Sequence, residues 1–303
     1  IRRKLFLARN VRQRPRMDDK ILTDWNGCAI GSLAYGGLFL GDESLIRRAE
    51  QAASFILSVM LMPDGTLYHS WRRGETGVEG TAQDYIFLGS GLVTLFQATG
   101  NPKYLLIAKN LAETALSRFH DHERGGFFVT RENDPLVPVR LRDDRDGPVP
   151  SVNGHAYQFL CRIALITGQT IFREMADQVQ TGMSRTCHIN PLATLSLLDA
   201  IMETGSEIRA VITGDAQDPR RKELVKAITS RDIPGLVIVP VLPGSGENWD
   251  GIIPEIQEVR EMEPAVRICA GGLCRPPVSD PDQLMDLIDA LTHSSGLPGS
   301  EHR

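Results

Sequence analysis

Three stretches of the chain repeat one pattern of hydrophobic and polar positions. Each has an apolar run, a glycine, and a second run whose hydrophobic residues recur at helical spacing. The glycines are Gly41, Gly100 and Gly168. Glycine is favoured just after a helix because the left-handed backbone conformation there costs it little. The pattern therefore predicts three helical hairpins, each with an apolar inner helix and an amphipathic outer helix.

The first inner helix, residues 26–40, is apolar nearly all round, which predicts that it is buried. The segments "MPDGTLYHSW" and "DHERGGFFV" follow the first two outer helices and are typical of turns with short strands. After the third hairpin we expect a brief link, "RTCHINP", and then another apolar helix over residues 192–202.

Repeated hairpins bury their apolar faces against one another, and an α/α toroid is the architecture that fits. In such a ring the inner helices are parallel, so the loops before them converge on one rim. Those loops carry Asp24, Trp25 and Asn26; Gln83, Asp84 and Tyr85; Ser151, Asn153 and His155; and His188 and Asn190. Each could simply cap its own helix, but four such clusters at equivalent ends favour a shared pocket.

The pattern changes near residue 207. The runs "IRAVIT", "GLVIVPV" and "AVRIC" are typical of buried strands, and two amphipathic helices accompany them. The second begins at Ser279 or Asp280, with Pro281 in its first turn. We therefore predict a partial toroid over residues 1–206 and a small α/β unit over 207–303. The segment "PGSGENWDG" lacks the lysine of a phosphate-binding loop and is interpreted as a plain loop.

Composition narrows the possibilities. Hydrophobic residues make up 42% of the 303 and charged residues 23%, so a packed core is expected. The net charge of -5 argues against a general nucleic-acid binder, although the first sixteen residues carry seven basic residues and no acid. No stretch predicts a membrane span or a signal peptide. Five scattered cysteines suit a reducing, cytoplasmic setting.

Several motifs together resemble one family. "KLFLARNVRQRPRMDDKILTDWNG", "QDYIFLGSGLVTLFQATG", "GGFFVT", "DGPVPSVNGHA" and "ICAGGLCRPPVSDPDQL" occur in this order. They are similar to the spermatogenesis-associated protein 20 family of thioredoxin-domain-containing proteins. The resemblance implies an N-terminal thioredoxin-like domain followed by an (α/α)6 toroid like that of six-hairpin glycosidases and N-acylglucosamine 2-epimerases. About eight of the twelve ring helices are expected here, without the thioredoxin-like part.

Two positions depart from the family pattern, both at the expected rim. Gln83 stands where the family usually has a second acid before Asp84. Ser151-Val152-Asn153-Gly154 replaces a Ser-Gly-Asn-Ser turn. Both changes bear on catalysis more than on the fold.

Three kinds of chemistry are open to such a rim. Glycoside hydrolysis needs two carboxylates, for which Asp19, Asp24 and Asp84 are the candidates, although a turn and a helix cap also explain them. Sugar epimerisation needs an acid and a base, and His69, His155 and His188 could each reach the toroid mouth. Sugar binding alone needs less: the candidates are Trp25, Asn26, Tyr85, Asn153 and His155.

No metal set or cofactor motif is evident. His120 and His122 lack distant ligands, and Cys269 with Cys274 favours free thiols or an occasional disulfide. The sequence thus predicts a carbohydrate-active or carbohydrate-binding protein whose partner is a small sugar or sugar derivative. Hydrolase and epimerase both remain open. The alternative is a non-catalytic scaffold that partners a thioredoxin-like redox domain.

Overall fold

The computed structural model describes residues 1–135, 137–205, 207–231, 233–243, 253 and 263–294. Within them the chain is mainly helical, with the hairpins in the predicted places. The helices before residue 206 are α1 (Arg2–Asn10), α2 (Thr23–Leu40), α3 (Glu43–Val59), α4 (Ala82–Thr99), α5 (Pro102–Phe119), α6 (Val152–Thr167), α7 (Thr170–Ile189) and α8 (Leu195–Thr204). A short 3-10 turn, Pro191–Ala193, precedes α8.

Glycine ends each inner helix, as predicted. Gly41, Gly100 and Gly168 have φ values of 66°, 69° and 69°, and the N–H of each bonds back to the preceding turn. Asp42 and Asn101 then cap the outer helices α3 and α5 through their side chains. The predicted pairs α2/α3, α4/α5 and α6/α7 are therefore confirmed.

Two details of the helical part differ from the prediction. Residues 185–189 of the expected link belong to α7, and α8 begins only at Leu195. The prediction that the first inner helix is buried is also wrong: in α2, Tyr35 is 50% exposed and Leu40 is 77% exposed. Among the described residues, α3 and α4 cover one face of α2, and the opposite face is not covered.

The core lies around α4. Its buried residues pack against α2, α5 and α6, and they include Tyr85, Phe87 and Phe96. Helices α2 and α4 approach closely because Gly27 and Gly91 face each other; a Cβ on Gly91 would lie 2.2 Å from the Gly27 carbonyl oxygen. The contact leaves these two inner helices parallel, with their N-termini side by side.

Two small sheets accompany the helices. In the first, β1 (Ile21–Leu22), β2 (Ser70–Arg72) and β3 (Glu75–Thr76) pair antiparallel. The second has the order β5-β4-β6-β7, formed by β4 (Ile208–Ile212), β5 (Leu236–Pro240), β6 (Val266–Ala270) and β7 (Leu273–Cys274). Strands β4 and β5 are parallel and the other pairs antiparallel.

The second sheet lies between two layers. Val237 and Val239 of β5 face the helical core, whereas Ile238 faces α9 (Pro219–Thr229) and α10 (Pro281–Ser294). Asp280 caps α10 by accepting from Gln283 N at 2.9 Å, which confirms one of the two predicted caps. The three predicted strands of this α/β unit are present.

Cys269 and Cys274 form a disulfide across β6 and β7, the second of the two alternatives predicted for them. Residues 244–251 of the predicted plain loop lie outside the described residues. None of the helices in the described ranges is both long and apolar enough to cross a bilayer.

Candidate functional site

A short β-pairing places His69 at the N-terminal end of α2. Leu22 of β1 pairs with Ser70 of β2, and Thr23 N donates to the His69 carbonyl at 2.9 Å. The loop that precedes α4 passes alongside. The N-termini of α2 and α4 therefore meet at a rim that also receives one histidine from the segment between them.

Asp84 lies at the centre of this rim and is fully buried. Its Oδ2 accepts from Thr81 N at 2.7 Å and Thr81 Oγ1 at 3.1 Å, and its Oδ1 accepts from Asp24 N at 3.1 Å. His69 Nδ1 lies 3.1 Å from each carboxylate oxygen. A carboxylate compensates for the loss of water only with such donors, so Asp84 ties the two helix ends and orients the imidazole.

Asp24 lies beside Asp84 and is 5% exposed. Its Oδ1 accepts from Trp25 N at 2.7 Å and its Oδ2 from Gln83 Nε2 at 2.9 Å. Burial, together with the neighbouring charge of Asp84, raises the pKa of the Asp24 carboxyl above its usual value. Asp24 therefore binds a proton more readily than an aspartate in water does.

His69 is the partly accessible member, with 32% of its side chain exposed. The hydrogen bond to Asp84 raises the pKa of His69, and burial opposes this only in part. Within the described residues its Nε2 atom has no hydrogen-bond partner, so one ring nitrogen is held by the protein and the other is available. We call Asp24, His69 and Asp84 the rim triad.

The rim triad also has the donor types of a cation site. Its three residues each offer one ligand atom, all within 4.8 Å of one another. Carboxylate and imidazole together suit Zn²⁺ or Mn²⁺. The carboxylate oxygens already accept hydrogen bonds from the backbone and from Gln83, so they have partners within the protein.

The other predicted residues of the α2 end surround the triad in different ways. Trp25 follows Asp24 directly and is exposed. Asn26 donates its amide to the Leu22 carbonyl at 2.8 Å, within its own helix start. Asp19 pairs with Arg72 and, at 3.6 Å, with Arg73. The hydrogen bond from Arg72 lowers the pKa of Asp19, in contrast to the raised pKa of Asp24.

Tyr85 points into the core. Its hydroxyl accepts from Leu67 N and from Arg118 Nη1, both at 2.9 Å. The tyrosine ring is fully buried, so its surroundings are protein atoms.

Asn153 and His155 make their contacts elsewhere. The Asn153 amide bonds to both backbone groups of Phe127 and to Asp144 Oδ1 at 2.8 Å, which uses its donors and acceptor. His155 packs edge-on against Phe87, and burial lowers its pKa to about 4. His188 lies exposed in the last turn of α7. The structure thus brings together Asp24, Gln83 and Asp84, and adds His69 to them.

Sequence reasoning named His69 only as one of three histidines near the toroid mouth. His69 differs from the other two histidines because it comes just before strand β2. Pairing of β2 with β1 holds the His69 carbonyl against Thr23 N.

The comparisons with known proteins agree with the motifs. The chain is 30% identical over 302 residues to spermatogenesis-associated protein 20 of Homo sapiens, covering 94% of this chain and 38% of that protein. The Rattus norvegicus protein of the same name is 29% identical over 298 residues, with the same coverage. The chain thus spans less than half the length of these relatives. The resemblance to this family is confirmed, although no family model matches the chain.

Solved structures with related folds are more distant. Cellobiose 2-epimerase from Spirochaeta thermophila superposes with a TM-score of 0.44 at 13% identity, over 53% of this chain and 42% of that one. A GH76 α-mannanase from Bacteroides thetaiotaomicron gives a TM-score of 0.49 at 14% identity, over 61% and 53%. Both are carbohydrate-processing enzymes by name.

Proposed function

From the premise that this chain is a relative of spermatogenesis-associated protein 20, we propose that it is a carbohydrate-active protein that performs acid–base chemistry at the rim triad. One observation carries the proposal: two titratable groups with raised pKa values, Asp24 and His69, lie against one buried carboxylate. Perturbed groups at converging helix ends are typical of active sites.

The reaction best supported is proton transfer beside a sugar carbonyl, as in epimerisation. Asp84 holds the Nδ1–H of His69, so the lone pair on Nε2 can take a proton from the carbon next to the carbonyl. The electron pair of the broken C–H bond moves towards the carbonyl oxygen, which takes a proton from Asp24. Reprotonation of that carbon from the opposite face by solvent gives the epimer, while Asp24 regains its proton from the enol hydroxyl and His69 gives its proton to solvent; return of the proton from His69 instead regenerates the substrate.

Two-carboxylate hydrolysis is less well supported. Retaining glycosidases hold their carboxyl groups roughly 5–5.5 Å apart, and inverting ones keep room for a water between them. In this rim the Asp24 backbone N–H bonds directly to Asp84, and ligand atoms of the two side chains lie within 4.8 Å. Asp84 is also fully buried, so it cannot reach an anomeric carbon.

Trp25 supplies the binding surface in this proposal. It follows Asp24 directly and is 61% exposed, and an aromatic face stacks on the apolar face of a sugar ring. Asn26 supports the helix start that carries it. Substrate recognition and proton transfer would then occupy adjacent residues of α2.

A solvent-exchange assay tests the proposal. The protein is incubated with reducing mono- and disaccharides in D2O, and deuterium at the sugar C2 is followed by NMR. Wild type is expected to catalyse exchange, and Asp24→Asn and His69→Gln to reduce kcat at least 100-fold, the usual contribution of a general acid or base. Trp25→Ala should mainly raise KM.

Arg48→Gln, an exposed change on α3, is the matched control and should exchange at the wild-type rate. Absence of exchange with every sugar tested, and of any sugar-induced rise in melting temperature, would refute the acid–base role.

The second candidate is a non-catalytic scaffold for a thioredoxin-like domain. It is supported by α1, which has no buried residue although Leu5, Phe6 and Leu7 are among its nine. On this proposal the rim triad serves only to tie α2 to α4. A stable complex with a thioredoxin-like domain, weakened by Phe6→Ser, would favour it if sugars have no effect.

A further inference from the structure

A second feature lies at the same end of the molecule as the rim triad. An open cavity of about 640 Å³ adjoins the C-terminal end of α5 and the loop that follows it. Its lining includes Arg118, His120, His122, Arg124, Arg131 and Arg140. We call it the arginine cavity, since four of these side chains are guanidinium groups.

Two hydrogen bonds connect the arginine cavity to the rim. Arg118 Nη1 donates to the Tyr85 hydroxyl at 2.9 Å, and Tyr85 follows Asp84 in α4. Ala82 N, at the start of α4, donates to the Val129 carbonyl at 2.9 Å. The wall of the cavity and the start of the helix that carries Asp84 are therefore one connected structure.

Buried polar atoms in and beside this wall have no hydrogen-bond partner. They are His120 Nε2, Thr130 Oγ1 and Arg131 Nε. Arg131 Nε lies 3.1 Å from Glu79 Oε2 but is not aligned for a hydrogen bond. Buried polar groups are nearly always paired, so three such atoms close together mark this wall as an unusual part of the described structure.

Two histidines of the lining contact each other, and one of their two proton arrangements calls for an acceptor at His120 Nε2. His120 is only 6% exposed, and its Nδ1 lies 3.2 Å from Nδ1 of His122. One ring must donate and the other accept across this contact. When His122 donates, the proton of neutral His120 is on Nε2, which is then a buried donor in need of an acceptor.

The charged residues of the lining also favour an anionic ligand. Arg140 stacks over Phe128 at 4.1 Å and donates to the carbonyls of Thr130 and Arg118, and within the described residues it has no carboxylate partner. Both oxygens of Asp121 are already occupied, one of them by Arg142 at 2.9 Å.

The acidic residues of the lining offset this positive charge only weakly. Glu123 and Glu132 are exposed, so solvent screens them, whereas Arg140 is half-buried. Arg118 and Arg131 both pair with Glu79, so Arg140 is the half-buried cation of the lining that has no acid partner within the described residues.

We propose that the arginine cavity binds the anionic group of the substrate, a carboxylate or a phosphate carried by a sugar. Guanidinium groups bind both through paired hydrogen bonds, and the anion would supply the charged partner that Arg140 lacks among the described residues. The inference rests on the proposed function only in assigning the anion to a sugar, and it narrows the substrate class to acidic sugars.

Calorimetric titration with glucose, glucuronate, glucose 6-phosphate and inorganic phosphate tests this inference. At least one acidic sugar should bind about tenfold or more tightly than glucose, as expected for one charge-assisted pair. Glucuronate and glucose 6-phosphate separate the two anion types. Arg140→Gln should remove the advantage, and Arg124→Gln, an exposed change that leaves the folded contacts intact, should reduce it.

The control Arg48→Gln should bind all probes like wild type. Equal affinity for the neutral and acidic sugars, or an advantage that survives Arg140→Gln and Arg124→Gln together, would overturn the assignment. If exchange at C2 proceeds but acidic sugars bind no better than glucose, this inference alone fails. If phosphate binds and Arg140→Gln abolishes that binding, but no sugar exchanges hydrogen at C2, the anion site is supported and the proposed function fails.

Discussion

Helices α2 and α4 have the same length and nearly the same apolar character, yet their surroundings differ. Each has 18 residues and ends at a left-handed glycine. In α4, 14 residues are buried, whereas in α2 only six are. Helix α4 packs against α2, α5, α6 and β5, but α2 packs mainly against α3 and α4. Burial is thus decided by the number of neighbours a helix has, rather than by its own composition.

The largest expected effect comes from one matched pair of leucines. Leu92 of α4 is fully buried, whereas Leu40 of α2 is 77% exposed. Leu92→Ala should lower the free energy of unfolding by about 3–5 kcal/mol through lost burial and a cavity. Leu40→Ala should change it by less than about 0.5 kcal/mol. Urea denaturation measures both, and similar losses would mean that α2 is covered in solution.

The next effect concerns the glycines between the two helices. A Cβ on Gly91 would lie 2.2 Å from the Gly27 carbonyl oxygen, whereas one on Gly36 would meet only Leu45 Cδ1 at 3.7 Å. Gly91→Ala should destabilise by about 1–3 kcal/mol because the helices must separate.

Gly36→Ala is the internal control and should stabilise by about 0.5–1 kcal/mol, since alanine favours the helix. Thermal unfolding should therefore shift in opposite directions for the two variants. A loss of stability in both variants would show that the open face of α2 is packed.

The smallest expected effect is the pH dependence at the shared rim. The folded state raises the pKa of His69, so its stabilising contribution is complete below the unfolded value of about 6.5 and is lost as pH rises through the folded pKa. His69→Gln should therefore cost about 1 kcal/mol near pH 6 and less near pH 9. A cost of His69→Gln that stays constant across this range would contradict the coupling to Asp84.

Local chemistry was enough to predict the hairpins. Glycine after an apolar run, followed by an amphipathic run, gives the same geometry wherever it occurs, so Gly41, Gly100 and Gly168 marked three turns correctly. The exposure of α2 was not predictable in this way. An apolar surface indicates that a helix can be covered, but which elements cover it depends on contacts between distant parts of the chain.

The rim was predicted in part for a similar reason. Asp24 and Asp84 meet because both are close to inner-helix starts, which the repeat reveals. His69 joins them through strand pairing, and the Asn153 amide bonds to Phe127 through a long loop. Neither partner has a local signature, since each contact joins residues that the repeat does not relate.

The position of strand β5 has a consequence for how the chain unfolds. Its alternate side chains, Val237 and Val239 on one side and Ile238 on the other, belong to two different hydrophobic cores. Gln97 of α4 also accepts from Ile238 N at 2.9 Å. Loss of the sheet would strip apolar cover from the helices, so the α/β unit and the helical part should melt in one cooperative transition rather than as independent modules.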